Sequence, residues 1–166
     1  PDWQENFIQI ASFGKTFALT GYRAGALVAG AAVIHQALKL QDSMVVCQPR
    51  VTQAAIQFGC EHLDAWVAEN ALMMQRRHDL FCELFKDSKN RFELLASGGF
   101  FAWVKHPWPE LTSRAAARRL LEEGHILCLP GEAFGPGLQD SLRLAFGNIQ
   151  EQQIPAAVER FIELVL

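Results

Sequence analysis

Apolar and polar positions first alternate over residues 7–13, FIQIASF, where β-branched and aromatic side chains predict a strand. Residues 24–30, AGALVAG, are an apolar run between glycines, the pattern of a strand buried on both faces. The segment between them is read as a loop. The period then lengthens. Residues 31–44 predict a helix, and residues 48–59 another, with Pro49 near its first turn and Gly59 behind it. From Asp64, placed as an N-cap, the pattern stays helical to about residue 89, with Trp66, Met73, Leu80 and Leu84 at near-heptad spacing. Met73 and Met74 read as core filler, and QRRHD at residues 75–79 as a solvated face.

Residues 91–96 and 100–105 predict strands around Ser97, Gly98 and Gly99. Residues 113–124 predict a short helix closed by Gly124, with Arg114, Arg118 and Arg119 as an exposed stripe. Residues 125–131 and 141–147 predict strands flanking a loop at 132–140, and residues 152–165 a final helix with Pro155 in its first turn. Phe100 and Phe134 are candidates to line a ligand pocket, with core packing the preferred reading for each. The order of strands, helices, one long helix and then βαβ-type elements predicts part of an α/β layer plus a smaller α+β lobe, joined by the long helix.

Composition narrows the class without naming a chemistry. With 166 residues, 50% hydrophobic and 20% charged, the chain fits one domain or two small ones and can bury a core. A net charge of -3 lacks the basic excess expected for binding nucleic acid or an acidic membrane. Apolar runs such as AGALVAGAAVI fall short of a membrane span, and the first residues do not read as a signal peptide. The four cysteines, Cys47, Cys60, Cys82 and Cys128, form no C-x-x-C pair. Their spacing predicts reduced thiols of a cytoplasmic protein, packed mostly as small apolar groups. Cys60 and His62 make half of a metal site with no second half at ligand spacing, so no metal is expected.

The chemistry concentrates in SFGKTFALTGYRAG, residues 12–25. Lys15 and Arg23 stand nearly alone among small, apolar and hydroxylated residues. Partial burial of an amine favours its neutral, nucleophilic form and makes it a Schiff-base former, and a second cation nearby pushes the same way. An arginine with hydroxyl neighbours suits a phosphate, because its planar fork binds two oxygens at once. A lysine for a carbonyl and an arginine for a phosphate together describe pyridoxal phosphate.

The same stretch resembles the lysine motif of class I/II aminotransferases, the fold type I pyridoxal phosphate enzymes. Ser12, Lys15, Gly21 and Arg23 match that motif in type and spacing. The resemblance implies that Lys15 forms the Schiff base and that Ser12 and Arg23 bind the cofactor phosphate. Gly14 stands where the family usually has serine, and Tyr22 where many members have tryptophan. ASGGFFAWVK at residues 96–105 is similar to the family's start of a small domain, and residues 124–148 to its closing segment. By that resemblance the arginine of LRLAF, Arg143, binds the α-carboxylate of the substrate.

The resemblance covers nearly the whole chain in order and implies an α/β fold in three parts. Residues 1–63 would end the large cofactor-binding domain, residues 64–90 would be a long connecting helix, and residues 91–166 a small α+β domain. The chain then corresponds to the C-terminal half of an aminotransferase. The family's carboxylate at the pyridine nitrogen, its ring-stacking aromatic, and the asparagine and tyrosine at the phenolic oxygen lie farther upstream, and none is assigned here. The chain by itself is therefore expected to be inactive. The implied activity moves an amino group between an amino acid and a 2-oxo acid, in a cytoplasmic homodimer with no nucleic-acid or membrane partner. A β-lyase or decarboxylase on the same cofactor, or a cofactor-sensing domain of a transcription regulator, stay open as alternatives.

Overall fold

The computed structural model describes residues 2–87 and 89–165. The chain divides into two units, Pro1–Asn70 and Ala71–Leu166, and the division falls inside one helix.

The first unit runs through α1 (Trp3–Asn6), β1 (Gln9–Ser12), α2 (Phe13–Thr16), β2 (Gly25–Val28), α3 (Ala31–Met44) and α4 (Arg50–His62) to the start of α5 (Asp64–Phe85). Both strands lie where the pattern predicts them. They pair antiparallel from Gln9↔Val28 to Ser12↔Gly25. Glycine is required at the end of that ladder, because a Cβ on Gly25 would sit 2.6 Å from the Ala11 carbonyl oxygen. Pro49 immediately precedes α4, as expected. Gly59 lies within α4 rather than behind it. The buried ring of Phe17 packs on it, with ring atoms 2.8 Å from where a Cβ would be. Asp64 is the first residue of α5 rather than its cap. Leu63 ends α4 directly before it, donating its N–H to the Gly59 carbonyl at 3.0 Å.

The core of this unit is thin. Phe17 and Thr52 are buried, but α3 buries no residue. Ile10 is 81% exposed and Met44 80%. A two-stranded sheet with so little apolar cover is marginal in water. Cys47 and Cys60 are exposed rather than packed, whereas Cys128 is buried and all four thiols are free.

The second unit holds β3 (Glu93–Gly98), β4 (Phe101–Lys105), α6 (Ser113–Gly124), β5 (Leu129–Pro130), β6 (Ser141–Ala145) and α7 (Ile154–Glu163). The sheet order is β3-β4-β6-β5, with every neighbouring pair antiparallel. The expected βαβ element takes a split form. β4 and β5, joined through α6, run parallel with β6 between them.

Strand alternation chooses the core face. Ala102 and Val104 of β4 and Leu142 and Leu144 of β6 are buried. They share one cluster with Phe81 and Phe85 of α5, Leu120 of α6 and Phe161 of α7. The heptad reading of α5 is one position off. Phe81 and Phe85 are its buried residues, whereas Leu80 and Leu84 are only partly buried and Trp66 is exposed. The run at residues 75–79 is also not uniformly solvated. Arg77 donates to the Gly147 carbonyl at 2.9 Å, and His78 Nε2 bonds Ser97 Oγ at 2.9 Å. Arg77 reaches the turn after β6 and His78 reaches β3, because both follow the Phe81 side of the helix at i−4 and i−3.

α5 stops at Phe85, short of residue 89. Asn90 takes the Phe85 carbonyl with its side-chain amide at 2.9 Å, and its Oδ1 accepts from the Phe92 N–H. Ser88, inside the expected helix, lies outside the described residues. The strand expected over 125–131 shrinks to Leu129–Pro130. His125 leaves α6 with a left-handed φ of 52°, and Pro130 has no N–H with which to extend the ladder. A 3-10 turn, Gly131–Phe134, occupies the start of the expected loop. The final helix begins at Ile154, with the 3-10 turn Glu151–Gln153 before it.

Candidate functional site

The β1–β2 connection carries Ser12, Lys15 and Arg23. Ser12 closes β1 and stands at the N-cap of α2, yet its side chain makes no capping bond. Lys15 lies on the single turn of α2 rather than in a loop. It is exposed, so the expected burial of the amine is absent from the described structure. The cause is local periodicity. Gly14 and Phe17, three residues apart, take the inward positions of this turn, and Lys15 and Thr16 are left outside. Phe17 on Gly59 anchors the turn to α4.

The rest of the connection is conformationally strained. Ala18 and Arg23 both adopt left-handed backbone, with φ of 53° and 51°. Such a conformation costs an L-residue roughly 1–2 kcal/mol, and strain of this kind clusters at ligand-holding segments. Between them lies the 3-10 turn Thr20–Tyr22. Arg23 Nη1 donates to the Thr20 carbonyl at 2.9 Å, which folds the guanidinium back over the turn. Buried Thr52 of α4 reaches the Tyr22 carbonyl at 3.5 Å. A cavity of about 480 Å³ opens beside this segment, lined by the Ala18–Arg23 stretch with Pro49 and Thr52. Arg23 lines it; Ser12 and Lys15 do not. Among the described residues neither Lys15 nor Arg23 pairs with a carboxylate. Two unneutralised cations and a hydroxyl with no capping duty are a donor set that fits a phosphate and an aldehyde, the two handles of pyridoxal phosphate.

Arg143 belongs to the second unit. It sits on β6 between buried Leu142 and Leu144, on the face turned away from the core. In register it faces Trp103 on β4 and Leu129 on β5. Its guanidinium lies over two aromatic faces, Phe101 at 4.2 Å and Phe134 at 4.7 Å. A cavity of about 170 Å³ adjoins it, lined by Ser97, Gly98, Phe101, Trp103 and others. No carboxylate pairs with Arg143 among the described residues. Phe100 packs against the core as expected. Phe134 does not; it is 45% exposed, with its ring against the Arg143 guanidinium. Sequence reasoning missed Phe101 and Trp103 as neighbours of Arg143. The signal was present in the alternation of β4, which puts residues 101 and 103 on the face opposite to buried Ala102 and Val104.

Among the described residues no three His, Cys, Asp or Glu side chains gather as metal ligands. No helix among them is long and apolar enough to cross a membrane.

A mixed α/β chain with a lysine–arginine connection and an outward strand arginine defines a class. Residues 3–161 match the sequence model described as aminotransferase class I and II, and the chain belongs to that family. Aspartate aminotransferase of Sulfurisphaera tokodaii is 27% identical, over 99% of this chain and 42% of its own length. Arginine–pyruvate transaminase of Pseudomonas aeruginosa is 33% identical, over 87% of this chain and 37% of its own. Among solved structures, an aminotransferase from Staphylococcus aureus superposes with a TM-score of 0.84 at 26% identity, covering 95% of this chain and 41% of that one. The chain spans about two fifths of the length of the curated relatives it matches.

Proposed function

We propose that this chain supplies the lysine, the phosphate arm and the carboxylate-binding arginine of a pyridoxal phosphate-dependent aminotransferase, corresponding to its C-terminal half. The observation that carries this reading is that one short connection, β1–β2, carries Ser12, Lys15 and Arg23, with neither cation paired to a carboxylate among the described residues. Family membership supports the reaction class. The thin apolar cover of the first unit supports placing the activity in a protein of the relatives' full length, as a homodimer.

When bound, the cofactor supplies a carbonyl that takes up the amino group and a ring that accepts electrons from the substrate α-carbon. Lys15 would hold the cofactor through its Nζ. As a free amine, Lys15 Nζ would take the proton from the substrate α-carbon as general base and, once protonated, would be the general acid that gives it to the cofactor's carbonyl-derived carbon. Ser12 Oγ and the Arg23 guanidinium would donate to the phosphate oxygens. Arg143 holds the substrate carboxylate through both of its outer N–H groups. That contact favours chemistry in which the carboxylate is kept, and so amino-group transfer from an amino acid to a 2-oxo acid.

Borohydride reduction of the full-length protein loaded with pyridoxal phosphate should fix a covalent adduct on Lys15, read by peptide mapping. An adduct on Lys39 or Lys105 instead would overturn the assignment.

A further inference from the structure

We propose that Phe134 is a positioning residue for Arg143, holding the guanidinium by its face so that its N–H edge stays free for the substrate carboxylate. The proposal rests on the carboxylate-binding reading of Arg143 given above.

Burial does not explain Phe134. Phe81, Phe85, Phe92, Phe146 and Phe161 are all at most 5% exposed, whereas Phe134 is 45% exposed. Its ring contacts are instead the Arg143 guanidinium, 4.7 Å from the ring centroid, and the edge-on indole of Trp103 at 5.4 Å. Phe101 offers a second face at 4.2 Å from a different element. An aromatic face attracts a cation through its quadrupole and takes none of the guanidinium's donors. A protein carboxylate in the same place would occupy the edge that a substrate carboxylate needs. Holding this arginine against aromatic rings rather than a carboxylate therefore restrains it while leaving its ion-pairing chemistry unspent.

The ring is itself restrained. Phe134 ends the turn Gly131–Phe134, and that turn is latched to the start of α6. Glu132 accepts from Ser113 Oγ at 2.8 Å and from the Arg114 N–H at 3.0 Å, while its own N–H donates to Ser113 Oγ at 3.1 Å. At Gly131 the backbone passes so close to the Leu138 and Ser141 carbonyls that no Cβ fits. The turn cannot swing outward without breaking these contacts, so Phe134 stays on Arg143.

The test compares Phe134→Leu, Phe134→Trp and Arg143→Ala in the full-length, cofactor-loaded enzyme. Leucine keeps an apolar side chain but has no quadrupole; tryptophan keeps the aromatic face. Phe134→Leu should raise KM for the amino acid about three- to fivefold, with kcat little changed. It should weaken calorimetric binding of 3-phenylpropionate, a carboxylate that cannot react, by the same factor. Phe134→Trp should restore both. Use of 2-phenylethylamine, which has no carboxylate, should not respond to either change. Unchanged KM and carboxylate binding in Phe134→Leu, or a loss confined to kcat, would overturn the proposal if Arg143→Ala still impairs amino-acid use. If Arg143→Ala leaves the preference for amino acids over amines intact, the carboxylate-binding reading falls and the proposal with it.

Discussion

Removing the ring of Phe85 tests whether the second unit is held together by the cluster that backs the Arg143 strand. Phe85 is 1% exposed. Its ring lies 4.9 Å from Phe81 and 5.3 Å from Phe161, and each of these is held by another ring, Phe81 by Phe146 at 5.2 Å and Phe161 by Phe92 at 5.1 Å. Phe→Ala in a core costs about 3–5 kcal/mol, depending on how far the walls collapse into the space. Walls that are themselves pinned collapse little, so Phe85→Ala should cost about 4–5 kcal/mol. Phe85→Leu, which refills much of the volume, should cost about 1–2 kcal/mol. Leu127, 82% exposed, is the control; Leu127→Ala should cost less than about 0.5 kcal/mol. Native-state hydrogen exchange at the Val104 and Leu142 amides, paired across β4 and β6, reads the opening of this sheet directly. A cost for Phe85→Ala below about 2 kcal/mol, or one equal to that of Leu127→Ala, would refute the view that this ring is a pinned part of the core.

The Glu132 latch should respond to acid. The Ser113 hydroxyl and then the Arg114 N–H hold the Glu132 carboxyl below the usual glutamate range. A carboxylate lowered in the folded state contributes stability that is complete above its ordinary range and lost as pH falls through the folded value. The melting-temperature difference between the parent and Ser113→Ala should therefore be largest near neutrality and shrink in acid; an equal difference at about pH 3 and pH 7 would contradict the latch. Thiol reactivity should split by burial. Cys47 and Cys60 are exposed and should label readily with iodoacetamide at mildly alkaline pH, whereas burial pushes the Cys128 thiol up to about 11 and should protect it. Equal labelling of Cys128 in the folded protein, read by peptide mass, would show that its pocket is open.

Local pattern was enough for the elements that answer to local physics. β1, α3, α6 and the position of Pro155 in α7 follow from alternation, helical period, glycine and proline, which act over a few residues; the apolar run between glycines located β2, but the expected burial on both faces is absent, with Leu27 37% and Val28 43% exposed. Lys15 and Arg23 stand out in the β1–β2 connection as isolated cations in one short segment, and the resemblance to the family's lysine motif adds Ser12 and Gly21. What a side chain faces is a different matter. The exposure of Lys15 depends on Phe17 finding Gly59, more than forty residues on. The stripe of α5 that is buried depends on which of two adjacent apolar pairs, Leu80 with Leu84 or Phe81 with Phe85, meets the rings of Phe146 and Phe161. Phe134 looks like a core residue in the sequence. It lies outside because a latch to α6 fixes its turn, and an arginine on a strand from further along the chain gives its face a partner. Contacts between residues distant in sequence decide such points, and a period of two or of 3.6 positions carries no record of them.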